Sequence, residues 1–120
     1  MGKIKRIPFS FKLDEYEYNK MYLSVLGLFL PEKLTGKEID VLSMFVTIGN
    51  EMNADDCFNS YARKKVKEKL GISSAGLHNH MKSIMNKGYV REDIDGNLKM
   101  RDYLRPVGSG IEFDIKITKG

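Results

Sequence analysis

The sequence predicts an α+β fold, mainly α, and three observations lead there. Residues 60–88 carry two short amphipathic helical patterns separated by a glycine turn. Residues 89–101 carry two β-prone runs around Asp95-Gly96-Asn97, a strong hairpin signal. Ile7–Leu13 and Ile111–Ile117 alternate apolar with polar residues, the period of a half-buried strand. At 120 residues and 42% apolar content, one domain with a real core is expected. It divides into an N-terminal strand and helix (1–34), a helical unit with its hairpin (35–105) and a C-terminal strand (106–120).

The first strand, Ile7 to Leu13, contains Pro8, which confines it to an edge or to a strand beginning. Asp14 then offers an N-cap, and Glu15 and Glu17 load the first helical turn with acids, as the helix dipole favours. This helix is expected to run to about Leu30 and stop before Pro31. Its apolar positions Tyr18, Met21, Tyr22, Val25, Leu26, Leu28 and Phe29 cover more than one face. A partner subunit is one way to bury the surplus. Thr35-Gly36-Lys37-Glu38 reads as a capping box. It opens a second helix with Ile39, Val41, Leu42, Phe45, Val46 and Ile48 inward, ending near Gly49-Asn50.

A polar connector follows over 51–59, with Phe58 its anchor in the core and Cys57 a small core or connector residue. Asn59 or Ser60 caps the third helix, whose inner stripe is Ala62, Val66 and Leu70. Gly71 breaks that helix with an easy left-handed residue, Ile72 plugs the turn and Ser73 caps the fourth helix. Leu77, Met81, Ile84 and Met85 form the buried stripe of the fourth helix and Gly88 closes it. Tyr89-Val90-Arg91 and Leu98-Lys99-Met100-Arg101 then flank the hairpin turn, and Gly108-Ser109-Gly110 is a flexible joint before the last strand.

Charge is segregated. Residues 60–91 hold eight basic residues against the single acid Glu68, a net +7, so the rest of the chain carries −3 of the total +4. Such a cluster fits a polyanion partner, although a lysine-rich solvated helix face gives the same pattern.

Residues 35–101 resemble the winged helix-turn-helix superfamily of prokaryotic and phage proteins, in the manner of MarR-like and related small regulators. The resemblance rests on Leu34-Thr35-Gly36-Lys37-Glu38-Ile39-Asp40-Val41-Leu42, Val66-Lys67-Glu68-Lys69-Leu70-Gly71-Ile72-Ser73, Leu77-His78-Asn79-His80-Met81-Lys82-Ser83-Ile84 and Lys87-Gly88-Tyr89-Val90. It covers a little over half the chain and is specific for the fold rather than for one regulator family. It implies duplex DNA as the partner, with the fourth helix in the major groove. On that helix Ser74, Ala75, His78, Asn79 and Ser83 are the base-reading candidates. Arg63, Lys64, Lys67, Lys82, Lys99 and Arg101 are the candidate phosphate contacts, which position without specifying. Two features depart from the family: Gly76 stands where Ser or Thr is usual in the reading helix, and Asp93 and Asp95 make the wing acidic. Turn chemistry accounts for Asp95 but not for Asp93.

No enzyme and no cofactor is expected. Cys57 has no base or acid with a plausible local role, and Asp55-Asp56 is a lone loop doublet. His78 and His80 fall on opposing sides of one helix and cannot share a metal. The longest apolar-rich run, Met21–Leu30, is interrupted by Ser24 and Gly27 and is far short of the ~20 residues a membrane span needs. Met1–Arg6 is charged with no apolar run behind it. The expected location is therefore cytoplasmic, meaning the host cytoplasm or a virion if the chain is phage-encoded.

The ends are expected to serve a homo-oligomer, a dimer by preference, through Tyr18, Tyr22, Val25, Leu26, Phe29, Ile111, Phe113 and Ile115. Two functions follow: a dimeric transcription regulator, or a structural or adaptor subunit that uses the same fold for protein contacts, for instance in phage virion assembly.

Overall fold

The computed structural model describes residues 12–53, 56–106, 108, 110, 112, 114 and 116–120. Four helices come first: α1 (Glu15–Gly27), α2 (Gly36–Met52), α3 (Ser60–Leu70) and α4 (Ser74–Asn86). A hairpin of β1 (Val90–Glu92) and β2 (Leu98–Met100) follows, then a 3-10 turn over Asp102–Leu104. The strands are antiparallel, with Val90 opposite Met100, Arg91 opposite Lys99 and Glu92 opposite Leu98. The chain is thus mainly helical with one small two-stranded sheet among the described residues. No described helix is long and apolar enough to cross a membrane.

Each helix starts where a side chain satisfies the first free amides. Asp14 accepts from Glu17 N, Asn59 from Ala62 N and Ser73 from Gly76 N. Thr35 and Glu38 close a reciprocal capping box on α2. Gly71 ends α3 at φ 64°, and Gly88 lies just past α4 at φ 84°, both in the region glycine enters without strain.

The centre of the fold is α2. Every residue from Val41 to Gly49 is buried, because α1, α3 and α4 all pack against it. Phe45 sits at the core with Phe58 at 4.7 Å between ring centroids, so the connector is anchored as expected. Gly49 admits the connector closely: a Cβ there would stand 2.6 Å from Cys57 Cβ. Leu23, Ala62, Val66, Ile84, Val90 and Leu104 complete the core from the other elements.

Several boundaries and faces differ from the sequence expectation. Helix α1 ends at Gly27, and Leu28–Leu30 form a tight turn in which Phe29 N bonds Leu26 O. Glycine and the residue before Pro31 both disfavour continued α-helix. Helix α2 extends to Met52 and is closed by Asn53 in the left-handed region at φ 50°. The surplus on α1 is partly used by the monomer: Tyr22 and Leu26 pack on the core, and Tyr22 donates its hydroxyl proton to Tyr103 O. A buried polar contact also joins α1 to α2, with Asn19 Nδ2 donating to Thr47 Oγ1 at 3.0 Å.

The expected strand over 7–13 falls outside the described residues up to position 11, as do Ile111, Phe113 and Ile115 of the C-terminal strand. The described positions between 108 and 120 carry no strand, and Ile117 is 91% exposed. Alternation makes a segment able to form a strand, but a strand forms only against a paired edge.

Candidate nucleic-acid interface

The turn between α3 and α4 is built from backbone geometry. With Gly71 left-handed, its amide and that of Ile72 both donate to Lys67 O, and the chain reverses within three residues. Ser73 then caps α4, and Leu77, Met81 and Ile84 bury one stripe against α2. The opposite face is fixed by exclusion. Ser74, Ala75, His78 and Asn79 are exposed along it, in the order expected of a reading surface.

A groove of about 580 Å³ runs between α3, α4 and the hairpin. Its floor is apolar, with Leu77, Met81, Met85 and Leu98, and its rim holds Arg63, Lys67, Ser74, His78 and Lys82. Lys67 Nζ donates to Ser74 Oγ at 2.9 Å, so the first turn of α4 and the cationic side of α3 are tied together. Five of the expected contact residues therefore converge on one groove. Glu92 also lines it and lowers its positive charge.

The remaining expected residues lie elsewhere. Ala75, Asn79 and Lys64 are exposed but are not part of the groove wall. Lys99 stands opposite Arg91, on the side of the hairpin that does not carry Glu92 and Leu98. Two exposed cations paired directly across strands repel, a cost an anion between them would relieve. Arg101 is half-buried and spends its Nε on Gly88 O at 3.0 Å, closing the base of the hairpin.

Ser83 is corrected. It is half-buried beside the Glu38 carboxylate at the start of α2 rather than on the reading face. That carboxylate accepts from Thr35 N at 2.7 Å and from Lys87 Nζ at 2.5 Å, and Lys87 also reaches Lys33 O at 2.8 Å. Burial favours the neutral acid, yet the Lys87 ammonium, the Thr35 amide and the Ser83 hydroxyl together hold the Glu38 carboxyl below its ordinary value. Lys87 is consequently an internal charge, so one of the eight cations of 60–91 is not available to a polyanion. Lys65 is also partly committed, 3.7 Å from Glu68 and over the Tyr61 ring.

The hairpin acid Asp93 is corrected in the other direction. Its Oδ1 accepts from Asp95 N at 2.9 Å and Asn97 N at 3.0 Å, while its backbone N donates to Asn97 O. It is the anchor of the turn, a role aspartate fills by bonding backbone amides ahead of it. Gly76 has no structural explanation: the equivalent position, whose amide bonds the cap side chain, carries a side chain in the other three helices at Glu17, Glu38 and Ala62.

Cys57 is buried, and burial pushes its thiol from 9.0 up to about 11. Among the described residues no group of three or more His, Cys, Asp and Glu side chains is arranged to hold a metal ion.

No protein-family model, curated protein or solved structure matches the chain.

Proposed function

We propose that the chain binds duplex DNA through α4 as a winged helix-turn-helix protein and acts as a dimeric transcription regulator of bacterial or phage origin. The observation that carries the reading is the exposed α4 face of Ser74, Ala75, His78 and Asn79, bordered by Arg63, Lys67 and Lys82 on the adjoining groove. The element order α2–α3–α4–β1–β2 and the three-residue turn between α3 and α4 support it. Asn79 is chemically suited to pair with adenine, Ala75 to meet a thymine methyl, and the cations to set register on phosphates. Asp93 has a structural role in the turn, where its Oδ1 accepts from two amides, and its negative charge stays in the wing.

Gel-shift titration of duplex DNA at two salt concentrations tests the proposal. Lys64→Glu with Lys67→Glu is expected to weaken binding by an order of magnitude or more and to reduce the salt slope by roughly two. Asn79→Ala is expected to flatten sequence preference with a smaller loss of affinity. Absence of binding at low salt, or a shift untouched by the double reversal, refutes the reading.

A second reading, an adaptor that uses the fold for protein contacts, is favoured by fully exposed Ile94 at the hairpin tip and by the apolar end of α1. Partner-dependent assembly without a DNA shift is its signature.

A further inference from the structure

Helix α1 has two apolar faces, and the described residues cover one. Leu23 and Asn19 are buried against α2, with Tyr22 and Leu26 packed beside them. The second face carries Met21 at 45% exposure, half-buried Val25, and then Leu28 at 65% and Phe29 at 61%. Residues 21, 25 and 28 lie one above another on a helix surface, and between Tyr18 and Phe29 that line holds no charged residue. Exposed Met21 and Leu28 share this line, with Phe29 beside it in the turn, more apolar surface together than a free surface normally leaves uncovered.

Exposed Glu17 stands at the N-terminal end of this stripe and Lys33 at the other, while exposed Lys20 beside Met21 is paired with Asp40 and exposed Glu32 adjoins Lys33. At the other end Lys33 folds back to donate Nζ to Leu28 O at 2.6 Å, which puts an ammonium at the C-terminus of α1. A parallel pairing of two such helices would set Glu17 against Glu17 and ammonium against ammonium. An antiparallel pairing centred between Met21 and Val25 sets residue 17 near residue 29 of the other copy, and so Glu17 beside the partner's Lys33. The helix dipoles also oppose favourably in that arrangement.

We infer that the Met21–Val25–Leu28–Phe29 face of α1 docks antiparallel on the same face of a second copy of this chain. The surface is isologous, so it closes at a dimer rather than growing into a fibre. It deepens the dimeric part of the reading above and does not depend on DNA being bound. Relative to the sequence expectation the contact set shifts: Tyr22 and Leu26 belong to the monomer core, while Met21 and Leu28 join Val25 and Phe29 outside.

Light scattering on the full chain, without DNA, tests this. The expected mass is twice 13.7 kDa. Met21→Glu with Leu28→Glu is expected to raise the dimer dissociation constant roughly 30-fold or more with unchanged helical circular dichroism, since both sites are exposed in the monomer. Glu17→Lys or Lys33→Glu alone should weaken association several-fold, and the two together should restore it. A native mass of 13.7 kDa at all concentrations overturns the proposal, as does a dimer that survives the double glutamate variant. A dimer broken by that variant but not rescued by the charge exchange overturns the antiparallel register. If the dimer fails and the gel shift persists, the DNA reading stands without it.

Discussion

Lys87→Met should cost far more stability than any other lysine truncation in the basic segment. In the folded chain Lys87 Nζ sits 2.5 Å from a Glu38 carboxylate whose side chain is 2% exposed, while Lys87 itself keeps 21% of its side-chain exposure. Removing one partner of a buried pair costs about 3–5 kcal/mol, because the other charge stays buried and uncompensated. Water reaches the lysine side, and Thr35 N still bonds Glu38, so the cost here falls at or just below the bottom of that range, about 2–3 kcal/mol. That is a large share of the ~5–15 kcal/mol that typically stabilises a domain. Urea unfolding followed by circular dichroism measures it. The pH dependence gives a second, signed check. In the wild type the folded Glu38 pKa is depressed, so its contribution is full above the ordinary value of 4.5 and is lost as pH falls through the folded value. In Lys87→Met the main opposing charge is gone and burial dominates, which raises that pKa. The protonated acid is then tolerated, so the gap between variant and wild type should narrow from pH 7 to pH 4. Glu38→Gln with Lys87→Met, which keeps the capping acceptor and removes the charge, should recover part of the loss. A single variant within about 0.5 kcal/mol of Lys64→Met, the scale of an ordinary surface change, refutes the reasoning. So does a deficit that grows toward acid.

Gly49→Ala sets helix propensity against space: alanine gains up to about 1 kcal/mol in a helix interior, but a Cβ 2.6 Å from Cys57 Cβ forces the connector away. Overpacking costs typically ~1–3 kcal/mol, so the denaturation midpoint should fall; a rise would show that the connector yields freely. Cys57, with its thiol pushed up to about 11, should react with a disulfide reagent at pH 8 only at the rate of opening, and much faster in urea. The same raised value makes its contribution to stability full below pH 9.0 and progressively lost as pH rises through about 11, read by melting temperature across that range. Asp93→Ala removes two turn hydrogen bonds and should loosen the hairpin, with faster amide exchange at Asp95 and Asn97 and little change in the melting of α2.

The helices were legible because their signals are local. A cap and a 3.6-residue stripe lie within one turn of each other, so Thr35–Glu38, Ser73 and the Leu77–Met81–Ile84 line could be read without knowing what they pack on. The hairpin was legible for the same reason, through Asp95-Gly96-Asn97. What escaped depends on partners far along the chain. Asn19 meets Thr47 across 28 residues and Lys87 meets Glu38 across 49, and no local pattern distinguishes either from a solvated polar residue. Asp93 is the instructive exception, since its acceptors' partners are only two and four residues ahead and the turn reading was available from the sequence.

These long-range contacts change how the basic segment should be weighed. Net charge over 60–91 treats every lysine alike, but the fold sorts them by what surrounds them. Lys87 holds α4 to the start of α2 and Arg101 closes the hairpin, so both serve the scaffold. Arg63, Lys67 and Lys82 rim the groove, and Lys67 is already oriented by Ser74. Lys64, Lys99 and Arg91 remain exposed around them. A cation held in place loses less side-chain entropy on meeting a phosphate than one that is free, so Lys67 should carry more of the affinity than Lys64. Separate charge reversals at the two positions decide the point. If Lys64→Glu weakens the gel shift as much as Lys67→Glu, the groove does not organise the contact, and the interaction is the diffuse attraction of a basic helix for a polyanion.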